Sequence, residues 1–140
     1  MNDKYFLDTN IIVYSFSQLE PKKSSIARDL LQKSIDNRCG IISTQVVQEF
    51  LNVATKKFKK TLDSGASMEF LQSFLMPICD IYPSFELYCS ALRIKERYLF
   101  SFYDSMIIAS GLQANCNILY SEDMKHGQNI NGMIIQDPFN

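Results

Sequence analysis

Phe6-Leu7-Asp8-Thr9-Asn10-Ile11-Ile12-Val13 decides how the rest of this chain is read. An apolar run ends on an aspartate, passes through Thr-Asn and resumes as a second apolar run. Carboxylates are rarely buried unless they are paired or bind a metal. An acid wedged between a short strand and a helix therefore needs a reason. Capping the helix with its own side chain is one; meeting other acids around a cation is another.

Working outward, Tyr5 to Leu7 reads as a buried strand and Ile11 to Phe16 as a helix capped by Thr9 or Asn10. Pro21 breaks the chain, and a helix runs from Ser24 or Ser25 to about Ile35. Gly40 to Ser43 is a second strand. Thr44 caps a helix whose apolar stripe is Val46, Val47, Phe50, Leu51, Ala54 and Phe58. Lys56 to Lys60 ends it in a basic cluster, favourable at a helix C-terminus. Asp63 to Ser67 reads as a loop and Met68 to Leu75 as a helix closed by Pro77. Ile78 to Tyr82 is a third strand and Ser84 to Tyr98 a helix. Ser101-x-x-Asp104 resembles a capping box opening a helix through Gln113. Ile118 to Tyr120 and Met133 to Ile135 are the fourth and fifth strands.

Short apolar strands alternating with helices predict an α/β fold: a central parallel sheet of about five short strands, covered by helices on both faces. Right-handed crossovers should join the strands. The 140 residues suit a single domain over 1–140. Ligands in such sheets bind outside the carboxyl ends of the strands. Asp8 leaves strand one there, Glu49 lies in the helix after strand two, and Asp123 follows strand four. The helix holding Asp104 must deliver the chain to the start of strand four, so it should begin at the same edge. Glu49 lies about 40° from Val53 around its helix, flanking the apolar stripe. Asp104 shares a face with Ile108 and Gly111.

Four carboxylates in one cleft repel, and without a cation some must hold protons. Mg²⁺, or Mn²⁺, removes the conflict, and a carboxylate set lacking His and Cys favours these ions over zinc. Such an ion activates water for attack on phosphate. On this reading Asp8, Glu49 and Asp104 hold the ion, Asp123 orients or co-ligates it, and Thr9, Asn10 and Ser121 fix carboxylates or water. The number of ions, and the choice between Glu122 and Asp123, stay open. Each acid also has a plainer role: Asp8 and Asp104 as helix caps, Glu49 on a solvated face, Asp123 in a turn.

A formal net charge of −1 excludes nucleic-acid binding by bulk electrostatics. Phosphate contacts must be local, with Lys56, Lys57, Lys59, Lys60 and His126 as candidates. The four cysteines form no C-x-x-C pair and read as reduced thiols. No apolar run reaches membrane-span length and no signal peptide opens the chain, so a cytoplasmic setting without membrane contact is expected.

The chain resembles the PIN-domain family, and within it the VapC-type toxins of toxin–antitoxin pairs. Phe6-Leu7-Asp8-Thr9-Asn10 is similar to the family's opening motif, and Ser43-Thr44-Gln45-Val46-Val47-Gln48-Glu49-Phe50 to the segment with its second acid. Ser101-Phe102-Tyr103-Asp104-Ser105-Met106-Ile107-Ile108-Ala109 resembles the third. Ile118-Leu119-Tyr120-Ser121-Glu122-Asp123 resembles the last, whose serine or threonine-x-aspartate pattern selects Asp123. The resemblance implies a Mg²⁺- or Mn²⁺-dependent endoribonuclease that cuts single-stranded or loop RNA. It also implies a homodimer and a cognate antitoxin that blocks the site. A non-catalytic interaction module of the same fold is the alternative. A phospho-acceptor signalling domain fits less well, because Asp80 lies within strand three and no suitable lysine follows strand five.

Overall fold

The computed structural model describes residues 3–17, 19–56 and 62–140. Six strands form one sheet: β1 (Tyr5–Leu7), β2 (Gly40–Ser43), β3 (Cys79–Ile81), β4 (Ile118–Tyr120), β5 (Asn129–Ile130) and β6 (Met133–Gln136). Their order is β3-β2-β1-β4-β6-β5. All neighbours are parallel except β5 and β6, which pair antiparallel. Six strands replace the expected five. The added strand is the first arm of a hairpin, and its turn is Asn131-Gly132, with φ of 51° and 96°. Asn-Gly is the preferred pair for a tight turn that needs two left-handed residues.

The helices are α1 (Thr9–Phe16), α2 (Pro21–Asn37), α3 (Thr44–Lys56), α4 (Ser64–Phe70), α5 (Phe85–Tyr98) and α6 (Phe102–Gln113). The chain steps one way from β1 to β2 to β3, then back across to β4. Right-handed crossovers therefore place α1 to α4 on one face and α5 with α6 on the other. The helix contacts agree: α1 packs on α2 and α3, and α5 on α6. Every residue from Ser105 to Gly111 is buried, so α6 is apolar nearly all round, as a helix enclosed by protein should be. A Cβ on Gly111 would stand 2.7 Å from Met133 Sδ and 3.4 Å from Phe6 Cβ. The glycine thus lets α6 lie close to β1 and β6, against side chains.

Several boundaries move for local reasons. Pro21 opens α2 instead of breaking the chain, because a first-turn residue needs no N–H. Asp63 to Ser67 is not a loop: the Asp63 carboxylate accepts from Ala66 N at 2.7 Å and caps α4. Thr44 is the first residue of α3, and the hydroxyl of Ser43 before it accepts from Val46 N at 3.5 Å. All four cysteines are free thiols. Among the described residues no helix is long and apolar enough to cross a membrane.

Candidate active site

The strand order reverses between β1 and β4, which makes their carboxyl ends the topological switch point where open α/β sheets bind ligands. Asp8 emerges there. Its backbone N–H donates to Tyr120 O at 3.0 Å, which ties the end of β1 to the end of β4. The side chain caps α1: Asp8 Oδ1 accepts from Thr9 N at 2.7 Å. Neither Thr9 nor Asn10 is the cap, and their side chains are released for other work. Asp8 Oδ2 accepts from Ser121 Oγ at 2.8 Å, and Ser121 is fully buried.

Both oxygens of Asp8 are thus held in place. Burial nevertheless pushes its pKa up to about 6, against the lowering effect of the Ser121 and Thr9 bonds. The charges of Asp104 and Glu49 push in the same direction as burial, so the fold brings three of the four predicted acids into electrostatic range. Among the described residues the ion pairs are Lys23 with Glu20, Lys23 with Glu122 and Lys33 with Asp29. None neutralises Asp8, Glu49 or Asp104.

Glu49 is reached from α1: Thr9 Oγ1 donates to Glu49 Oε1 at 2.6 Å. Asp104 lies in the first turn of α6, where the Ser101 hydroxyl accepts from Asp104 N at 3.1 Å. Among the described residues only this half of the reciprocal capping box forms, which leaves the Asp104 carboxylate to the cleft. Asp123 is exposed, and its Oδ2 accepts from Asn10 Nδ2 at 3.2 Å. The other amide atom, Asn10 Oδ1, is buried with no partner among protein groups. Glu122 faces a different cluster. Its carboxylate accepts from Tyr14 OH at 2.6 Å and from Lys23 Nζ, and these two donors hold its pKa below the usual range against the desolvation that opposes them.

The remaining candidates fall elsewhere. Lys56 is exposed at the end of α3, seven residues and about 10 Å of helix beyond Glu49. Lys57, Lys59 and Lys60 lie outside the described residues. His126 Nδ1 accepts from Asp137 N at 3.0 Å, and the ring lines an open cavity of about 600 Å³ with Ser25, Asp29 and Tyr120. The sequence reading missed Gln45, whose Nε2 donates to Tyr103 O at 3.2 Å and joins α3 to α6 beside the acids. Its position four residues before Glu49 was the available signal.

Three acids, one of them a desolvated carboxylate resisting ionisation, and hydroxyls that hold the carboxylates suit a hard divalent cation with oxygen ligands. Among the described residues no three His, Cys, Asp or Glu side chains stand together at metal-ligand spacing. Like charges lower their energy by standing apart, and Thr9, Ser121 and Asn10 each hold one acid in its place.

Sheet order, helix layers and an acidic strand edge at the switch point define a three-layer α/β protein with its candidate site at the carboxyl ends of β1 and β4. The PIN-domain profile matches residues 5–128, and the chain belongs to the PIN-domain family. No curated protein sequence matches it significantly. Solved structures share the fold at low identity. A toxin–antitoxin complex from Klebsiella pneumoniae contains a chain 18% identical, with TM-score 0.72, over 96% of this chain and 98% of that one. VapC20 of Mycobacterium tuberculosis, a sarcin–ricin loop cleaving toxin, is 14% identical, with TM-score 0.65, over 86% and 90%. VapBC2 of Rickettsia felis, bound to a DNA fragment from its promoter, gives 20%, 0.66, 94% and 96%.

Proposed function

We propose that this PIN domain is a divalent-cation-dependent endoribonuclease and the toxin half of a toxin–antitoxin pair. One observation carries the reading: Asp8 is pinned by Thr9 and Ser121 within range of Glu49 and Asp104, with no cationic side chain among the described residues paired to the three. Asp8, Glu49 and Asp104 would hold Mg²⁺ or Mn²⁺, and Asp123 would add a fourth oxygen donor at the rim. An ion held by these acids would supply a lowered pKa for water and charge compensation for the attacked phosphate.

The chain's own residues do the rest. Thr9 holds Glu49, Ser121 holds Asp8 and Asn10 holds Asp123, so three of the four acids have a positioning residue on α1 or after β4. Bonds of this kind fix the carboxylates before substrate arrives, which lowers the reorganisation needed in the transition state. An ion held there would itself activate the attacking water, so no histidine base is required.

The partners follow from the same reading: single-stranded or loop RNA as substrate, a cognate antitoxin that covers the acids, and a second copy of the chain. Two of the structural neighbours are toxin–antitoxin assemblies and a third is described as cleaving the sarcin–ricin loop. The test incubates pure protein with structured and unstructured RNA in Mg²⁺, Mn²⁺ or EDTA, beside Asp104→Asn. Cation-dependent cleavage lost in the variant supports the proposal. Equal cleavage by both proteins, or none under any cation, overturns it.

A further inference from the structure

We propose that a second cavity, at the carboxyl ends of β2 and β3, is a subsite for one unstacked RNA base, which Gln45 reads through its amide oxygen. The proposal deepens the ribonuclease reading and rests on it for the identity of the ligand. The cavity measures about 210 Å³, and Gln45, Tyr88, Tyr103, Ile81, Pro83 and Met106 are among its walls. Sites for larger organic ligands begin at roughly 300 Å³, so this one suits a single flat ring system.

Its chemistry is that of a base pocket. Tyr103 is 66% exposed and Tyr88 43%, so two phenol rings border the opening and offer faces for stacking. Ile81, Pro83 and Met106 supply apolar wall. Gln45 supplies the edge contact. Its Nε2 donates to Tyr103 O at 3.2 Å, which fixes the amide orientation, since the flipped amide would set oxygen against oxygen. Oε1 is then left buried with no protein partner. An unpaired buried acceptor is costly, and an amino or imino N–H arriving from the cavity satisfies it. Bases splayed from single-stranded RNA carry such groups on their Watson–Crick edges. Tyr103 is the wall that yields, because its carbonyl holds the amide while its ring faces solvent.

Position connects the cavity to the acids. Gln45 precedes Glu49 by four residues on α3, so the two share a helix face about 6 Å apart along the axis. Tyr103 directly precedes Asp104 on α6. A base seated on Gln45 and Tyr103 therefore leads its own phosphate to the acidic edge. The consequence is a base preference beside the cut that comes from Gln45.

Two measurements test this. The four nucleoside monophosphates are titrated into the full-length protein while the Gln45 side-chain amide and the Tyr103 ring are followed by NMR. At least one nucleotide should shift both signals, and Gln45→Met should weaken its binding about 10-fold. Tyr103→Ala, at an exposed position, should weaken it too and covers the event that Gln45→Met does not fold. Cleavage sites in a random RNA pool are then sequenced for wild type and Gln45→Met. A base preference in wild type that flattens in the variant, with cleavage retained, supports the proposal. Shifts confined to other residues, or a preference unchanged in Gln45→Met, overturn it. So does perturbation of Gln45 by a partner protein and by none of the monophosphates, which would make the cavity a protein-docking site. If Asp104→Asn matches wild type, the nuclease reading falls, while the titration still reports on the cavity.

Discussion

Replacing Asp8 with asparagine should stabilise the cation-free protein while abolishing its cleavage. The folded pKa of Asp8 is about 6 against an ordinary value of 3.8. A carboxyl group with a raised folded pKa binds protons more tightly folded than unfolded. Its contribution to stability therefore falls as pH rises, beginning near the unfolded value and complete above the folded one. About two pKa units correspond to about 3 kcal/mol lost at neutral pH and above. Asparagine removes that penalty and keeps the local bonds. Its amide oxygen can accept from Thr9 N as Asp8 does, and its amide nitrogen can donate to the Ser121 hydroxyl, which accepts as readily as it donates. In EDTA near pH 8, Asp8→Asn should gain about 3 kcal/mol, or roughly 10 °C in Tm for a domain of this size. Near pH 5 the gain should shrink to about half, because wild-type Asp8 is then mostly protonated when folded. Titration of groups that do not interact with Asp8 cancels in the difference between the two proteins; Glu49 and Asp104, whose charges act on Asp8, share in the pH dependence. Saturating Mg²⁺ should narrow the gap at high pH by stabilising only wild type, by about 2.7 kcal/mol at one hundred times Kd. Chemical denaturation across pH, with and without cation, reads all of this. An Asp8→Asn protein less stable than wild type near pH 8 in EDTA, or a gap that ignores pH, would refute the reasoning.

Three further outcomes are expected. Glu122→Gln should leave RNA cleavage near the wild-type rate, because Glu122 is engaged by Lys23 and Tyr14, whereas Asp123→Asn should slow it measurably; equal effects in a cleavage assay would contradict the assignment. Gly40→Ala should destabilise by about 1–3 kcal/mol, since the added Cβ would overlap Ser34 Oγ and lie 2.7 Å from a Tyr5 ring carbon; a thermal melt within 1 °C of wild type would show that the packing yields. Leu92→Asp, on the α5 face that leaves Phe85 78% and Leu92 55% exposed, should convert the proposed dimer to a folded monomer in sedimentation, and an unchanged mass would place self-association elsewhere.

What the sequence made legible followed simple physics. Short apolar runs such as Tyr5–Leu7 and Ile118–Tyr120 have one way to be buried, in a parallel sheet covered on both faces, and strand ends then set the edge where Asp8 and Ser121 meet. What escaped was of two kinds. The β5–β6 hairpin and the α4 cap carried readable signals, Asn131-Gly132 and Asp63, but each belongs to an element so short that periodicity gives no support. The pairings Thr9 with Glu49, Asn10 with Asp123 and Tyr14 with Glu122 lie 40, 113 and 108 residues apart, and no local pattern encodes them. The last two separate Glu122 from Asp123, a choice the sequence left open between adjacent acids.

The plain and the catalytic readings of these acids turn out to be compatible, and the reason is electrostatic. Asp8 does cap α1, and Asp104 does sit in the first turn of α6 behind its Ser101 cap. Glu49 lies in the second turn of α3 and is bonded to the first residue of α1. Three helices thus begin at the acidic edge. A helix N-terminus carries partial positive charge from its unsatisfied N–H groups, worth roughly 0.3–1 kcal/mol to a nearby carboxylate. That contribution lets the fold hold several acids close with no lysine or arginine among the described residues paired to them. It does not cancel their repulsion, since burial and the two neighbouring charges still lift Asp8 to about 6. A full cationic partner in the protein would relieve that strain permanently and leave no reason for the site to bind an ion. Partial compensation by helix ends leaves a residual negative field at the switch point, which is what a site that recruits a divalent cation requires.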